Sequence, residues 1–168
     1  MSSDLKKTPA LLTRDSILNC LTEYDTNLTV RKYIHNIFYQ EVFRDSNKKS
    51  KFRSNDVFSN KNVTHDHYLS PRVLIRALLE TEREIVQDET EFEKIFNLSK
   101  ETVKVTKEQN NSVKVKNDGD DLIISELTIN KYDKFAPWWD DENNDFDEFP
   151  LKERVPKFLT KFEKSKLR

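Results

Sequence analysis

Near Thr102 the apolar residues of this sequence change their period. Before Leu98 they recur three and four positions apart, as on one helical face; Val103 and Val105, then Val113 and Val115, alternate with polar residues, as on one face of a strand. A helical first half followed by a strand-bearing stretch predicts a mainly α chain with a small antiparallel β-meander, an α+β class.

Ile17, Leu18 and Leu21 share one helical face, with Thr13 or Asp15 placed to cap the first amides. Asp25-Thr26-Asn27 breaks that helix. Thr29 can then cap a second one, carrying Val30, Tyr33, Ile34, Ile37, Phe38 and Val42 at spacings of three and four. The two predict a helical hairpin over residues 13–43, after a flexible N-terminus over 1–12. Tyr39 and Phe43 fall off the main stripe and need a partner, either more of this chain or another one. Ser70-Pro71 is a strong helix start, because Ser can accept from the free amides and Pro at the first position loses no bond. Leu74, Ile75, Leu78, Leu79, Ile85 and Val86 continue its stripe. Thr90 and Glu93 read as a capping box for a short helix through Phe92, Ile95, Phe96 and Leu98, completing a central helix pair.

The stretch from Arg44 to Asp66 thins to Phe52, Val57, Phe58 and Val63 among Ser, Asn and Lys. That composition predicts a mobile basic linker over 44–66. Its Lys48, Lys49, Lys51 and Arg53 could follow a phosphate backbone or simply meet solvent. After Thr102, Glu108 to Asn111 can turn the first strand pair, Asn117-Asp118-Gly119-Asp120 the second, and Leu122 to Ile129 supplies a third strand. Helices and meander together occupy 67–130.

Residues 131–150 hold both tryptophans, Trp138 and Trp139, with Asp140, Asp141, Glu142, Asp145, Asp147 and Glu148 around Phe146 and Phe149. Pro137 and Pro150 disfavour helix, so the segment should be extended. Its aromatic residues offer large apolar areas at small entropic cost, and the acids would steer them to a basic groove. The competing outcome is that the indoles complete this chain's own core. The docking reading takes Trp138, Trp139, Asp140, Asp141, Phe146 and Phe149 as partner-binding residues. Beyond Pro150 the charge reverses into a basic tail, 151–168, whose Lys157, Lys161 and Lys164 could contact nucleic acid from a short amphipathic helix.

Chemistry finds little support. One glycine in 168 residues leaves no phosphate-cradling loop and no dinucleotide fingerprint. His65-Asp66-His67 lacks the further ligands a metal needs, and the acidic run lacks the glycine turn and ligand register of a calcium loop. Cys20 sits in the apolar half of the first helix, where an inert thiol is the common case. No enzyme, cofactor or metal site is expected. The 29 basic and 30 acidic side chains give a net charge of −1, so any attraction to nucleic acid must come from local patches. A single cysteine, a polar Met1–Lys7 stretch and the lack of a run near 20 apolar residues point to a nuclear or cytoplasmic location without membrane contact.

Two resemblances bear on partners. Leu18, Leu21 and Tyr24 with the following helix are similar to the LisH dimerisation motif, although its turn glycine is missing. Trp139-Asp140-Asp141, then Asp147-Glu148-Phe149-Pro150, then Val155-Pro156 resembles the Trp-acidic, Leu-Pro, Val/Ile-Pro pattern of the small APC13 subunit of the anaphase-promoting complex. It covers under a fifth of the chain, with altered spacings. That resemblance implies docking along a larger subunit. The expected function is therefore a non-catalytic adaptor subunit of an intracellular, nuclear multiprotein complex, the alternatives being an APC13-like subunit and a nucleic-acid- or chromatin-associated protein.

Overall fold

A computed structural model describes residues 6–46, 50–59, 62–112, 116–118, 121–124, 127, 132, 134–135, 137–147 and 152–167. The chain is helix-rich with a five-stranded mixed sheet, an α+β architecture. It divides into two units, residues 1–46 with 71–100, and 47–70 with 101–168. This division replaces the expected string of segments. The central helices join the N-terminal ones, and the supposed linker joins everything after residue 100.

In the first unit, helix α1 spans Pro9–Leu18, one turn earlier than the apolar stripe suggests. Thr8 caps it by accepting from the Leu11 amide at 3.3 Å, with Pro9 at the position where a missing N–H costs nothing. Thr13, expected as the cap, instead donates its hydroxyl to the Pro9 carbonyl at 2.8 Å. Helix α2 spans Leu28–Asp45, and its cap is Asn27, whose Oδ1 accepts from Thr29 and Val30 amides at 3.1 and 3.3 Å. Ile34, Phe38 and Val42 form its buried edge. Helix α3 spans Pro71–Thr81, starting where Ser70-Pro71 predicts, and seven of its eleven residues are buried. Ile85 and Val86, expected on the same helix, lie in a 3-10 turn over Arg83–Gln87. Helix α4 spans Glu89–Ser99, capped by Asp88 through the Glu91 amide at 3.0 Å instead of by Thr90.

α1 packs on α4 and α2, and α2 on α3. Phe38 meets Phe92 and Phe96 edge-on at 6.2 and 5.8 Å between ring centres, a geometry favoured by the ring quadrupoles. Arg14 ties α1 to the 3-10 turn by donating to the Val86 and Gln87 carbonyls at 2.6 and 2.9 Å, supplying partners to carbonyls that the turn leaves open.

The second unit contains the sheet. Strand β1 is Phe52–Ser54, β2 is Val63–His67 and β3 is Thr102–Thr106. Strand β6 is Trp138–Asp140 and β7 is Asp145–Asp147, and the order across the sheet is β2-β3-β1-β6-β7. β1 runs parallel to β3, with Phe52 beside Val103; the other pairs are antiparallel. The stretch over 44–66 is therefore no linker. Phe52, Ser54 and Val57 are buried, and strands this short show no alternation long enough to recognise.

The predicted meander is also replaced. β3 pairs with strands that precede it, and Glu108 to Asn111, expected as a turn, lie in helix α5, Lys107–Ser112. The reason is a capping box: Thr106 Oγ1 accepts from the Gln109 amide while Gln109 Oε1 accepts from the Thr106 amide, both at 3.0 Å. Val113 to Val115 lie outside the described residues. Strands β4, Lys116–Asp118, and β5, Asp121–Ile123, make a separate antiparallel pair. Helix α6, Lys157–Lys166, follows Pro156 as expected, burying Leu159 and Phe162. Its end is held by a parallel bridge between Leu167 and Ile124.

Candidate docking site

Residues 138–147 of the acidic-aromatic segment form the β6–β7 hairpin, with β6 paired to β1 on its other side. Asp140 builds the turn. Its Oδ1 accepts from the Glu142 and Asn143 amides at 2.8 and 3.3 Å, its Oδ2 accepts from Asn143 Nδ2 at 2.9 Å, and its carbonyl accepts from the Asn144 amide at 2.8 Å. Asn144 closes the turn at φ 51°, a left-handed conformation Asn tolerates better than most residues.

Neighbouring residues of a strand face opposite ways, and this separates the two indoles. Trp138 points inward with 0% exposure, donating its Nε1–H to the Tyr132 carbonyl at 3.1 Å and meeting the Tyr132 ring edge-on at 6.0 Å. It is a core residue, which corrects its expected part in partner binding. Trp139 is half-buried on the other face. Its ring lies 5.0 Å from Phe146, its cross-strand partner, and 6.0 Å from Phe58, with Phe58 and Phe146 6.3 Å apart. Phe58 is 57% exposed and Phe146 43% exposed. Three rings therefore meet at the surface beside β7, an outer strand of the sheet.

The carboxylates are less free than expected. Arg53 forks onto Asp141 Oδ2 from Nε and Nη2 at 3.0 and 2.7 Å, Lys51 pairs with Glu142, and the Asp141 amide donates to the Lys51 carbonyl at 3.0 Å. Two stretches read as separate binding surfaces thus hold one another. Asp140 is buried in its own turn, and Asp145 accepts from the Phe146 amide at 2.8 Å. Phe149, Lys48 and Lys49 lie outside the described residues. Lys157, Lys161 and Lys164 are exposed on α6, spaced by four and three residues so that they share one face.

The histidine cluster is distributed by the same strand alternation. His65 Nδ1 lies 2.7 Å from the Ser50 hydroxyl, which also lies 2.7 Å from Thr102 Oγ1. Burial, then the Lys104 and Arg53 charges, lowers the His65 pKa. Asp66 faces the other way and accepts a hydrogen bond from the Tyr132 hydroxyl. Among the described residues no group of three or more His, Cys, Asp or Glu side chains could hold a metal ion. Burial, and then Glu23, pushes the Cys20 thiol up, away from the thiolate that nucleophilic chemistry uses. No described helix is long and apolar enough to cross a membrane. The chain matches no protein-family model, no curated protein and no solved structure.

Sequence reasoning missed Phe58, which brings the third ring from a 3-10 turn over Asn55–Ser59. Its only signal was an exposed-type setting among Ser and Asn.

Proposed function

We propose that this protein is a non-catalytic accessory subunit of a larger intracellular, nuclear assembly, docking through Trp139, Phe146 and Phe58. The observation behind this reading is that three rings from two separate stretches of chain converge on solvent at a sheet edge. A cluster of this kind hides apolar area when a partner covers it. The carboxylates nearest it are largely matched by Lys51 and Arg53, so the partner surface is chiefly apolar, and added salt should weaken the contact little. The resemblance to the APC13 pattern, carried by Trp139-Asp140-Asp141, Asp147-Glu148-Phe149-Pro150 and Val155-Pro156, is compatible with docking along a larger subunit.

Affinity purification of the tagged full chain from nuclear extract, beside Trp139→Ala and Phe146→Ser, tests this. Both variants should stay folded by circular dichroism and lose a stoichiometric partner that the parent keeps in high salt. An unchanged set of partners removes the proposal. A second reading, nucleic-acid association, is favoured by the exposed Lys157, Lys161 and Lys164 face of α6. It requires binding that falls steeply as salt rises and that is lost when these lysines become glutamine.

A further inference from the structure

The seam between α2 and α3 carries more positive charge than it balances. Arg31, His35 and Tyr39 lie one turn apart along α2, and Arg72 and Arg76 one turn apart along α3, with Arg83 just beyond it. The contacts run in opposite order along the two helices. The Arg72 guanidinium sits 4.5 Å over the Tyr39 ring, while Arg83 sits 5.2 Å over the Tyr24 ring, whose hydroxyl is 2.7 Å from His35 Nε2. Arg31 reaches the same Tyr24 ring at 5.5 Å and donates to the Tyr24 and Asp25 carbonyls at 3.2 and 3.1 Å.

Among the described residues the carboxylates paired with these four guanidiniums are Asp25 and Glu80. Asp25 is taken by Arg83, which forks onto both its oxygens at 2.7 and 2.8 Å. Glu80 comes no closer to Arg76 than 3.7 Å, beyond hydrogen-bonding reach, and the buried Arg76 Nε–H finds no acceptor among the described residues. A buried donor left in that state costs on the order of 1–3 kcal/mol. Arg72 has no ion pair among the described residues; an aromatic face is what holds it. Burial first, and then the Arg76, Arg31 and Arg72 charges, lowers the His35 pKa.

Arg72, which no carboxylate pairs among the described residues, and Arg76, whose ion pair with Glu80 is too long to hydrogen-bond, present forked donors that suit a phosphate monoester, which carries about −1.5 to −2 and accepts such forks. The seam also has an apolar flank. Tyr39 stacks on Phe43 at 6.1 Å, and Phe43 is 63% exposed. A free inorganic ion would leave that flank unused, whereas a phosphorylated side chain within a protein segment brings neighbouring residues to cover it. We propose that the α2–α3 seam is a phosphate-monoester site for a phosphorylated protein segment, with Arg72 and Arg76 holding the phosphate and Tyr39 and Phe43 receiving an apolar neighbour. This surface is distinct in its residues from the aromatic cluster on β6 and β7.

The test follows arginine Nε–H signals of the full chain by NMR while N-acetyl-phosphothreonyl-leucinamide, its unphosphorylated form or inorganic phosphate is added. The phosphorylated probe should shift the Arg76 and Arg72 signals and bind at least about tenfold more tightly than inorganic phosphate. The unphosphorylated probe should leave them in place. Arg72→Gln, at an exposed position, should weaken the phosphorylated probe about tenfold or more without unfolding the chain; it decides the matter even if Arg76→Gln destabilises the helices. Unmoved signals, equal binding of inorganic phosphate, or an unaffected Arg72→Gln variant would each overturn the proposal.

Discussion

Replacing the two adjacent tryptophans one at a time should give opposite phenotypes. Trp138 has no exposed surface, and its Nε1–H satisfies the Tyr132 carbonyl at 3.1 Å. Trp138→Ala opens a cavity among Tyr132 and its neighbours and orphans that carbonyl, so it should cost about 3–5 kcal/mol, the usual range for a buried large aromatic. Such a loss is a large share of the roughly 5–15 kcal/mol that holds most domains folded. Trp139 is half-buried, and its ring contacts with Phe146 and Phe58 are each worth about 0.5–1.5 kcal/mol beyond their area. Trp139→Ala should therefore cost about 1–3 kcal/mol, less than Trp138→Ala. Because the chain holds two tryptophans, each variant keeps one indole as its own reporter in the same strand. Urea unfolding read by that fluorescence measures both costs, and the Trp139→Ala protein should emit at shorter wavelength than Trp138→Ala before denaturant is added. The reasoning fails if Trp138→Ala lies within about 1 kcal/mol of the parent, or if the two variants are equally destabilised.

Further outcomes follow from other parts of the chain. Gln109 accepts from Ser54 and the Thr106 amide and donates to Asp56, so Gln109→Ala should destabilise the sheet-bearing unit by at least about 2 kcal/mol in denaturant unfolding. At Asn144, with φ 51°, glycine should be tolerated while Asn144→Val should cost about 1–2 kcal/mol in the same assay. His35 is pushed down from 6.5 to about 4, by burial first and then by Arg76, Arg31 and Arg72. The unfolded chain thus takes up this proton at higher pH than the folded one, so stability should fall as pH drops from about 6.5 to about 4 and level off below. NMR titration of the imidazole should show it neutral at pH 5.5, and His35→Gln should flatten that part of the stability profile.

Helices with long amphipathic stripes were legible because their period repeats over several turns. Ser70-Pro71 marked α3, and the alternation from Val103 marked β3. Caps were legible only as residue types. The T-x-x-E pattern at Thr90 reads as a cap, yet Asp88 caps α4, while the T-x-x-Q pattern at Thr106 starts α5 where a turn is expected. The partners of β3 were hidden for a different reason. Phe52–Ser54 is only three residues long, and its pairing to Val103 and Trp139 spans some fifty and eighty-six positions, beyond any local pattern. That pairing also explains the site. The sequence reading takes Trp138 and Trp139 together, whereas their place in β6, between β1 and β7, sends them to opposite faces and buries Trp138. Arg53 lies beside Trp139 and binds Asp141, so a basic stretch and an acidic one that each seemed to await a partner satisfy one another.

The most direct measurement places a photoactivatable benzoyl-phenylalanine at position 146 in cells, with the same group at the exposed position 12 as control. Docking through the ring cluster predicts one dominant adduct to a single larger protein from position 146 and none from position 12. A position-146 chain that stays folded yet forms no adduct, while the same group at position 161 on α6 couples to nucleic acid, would contradict it.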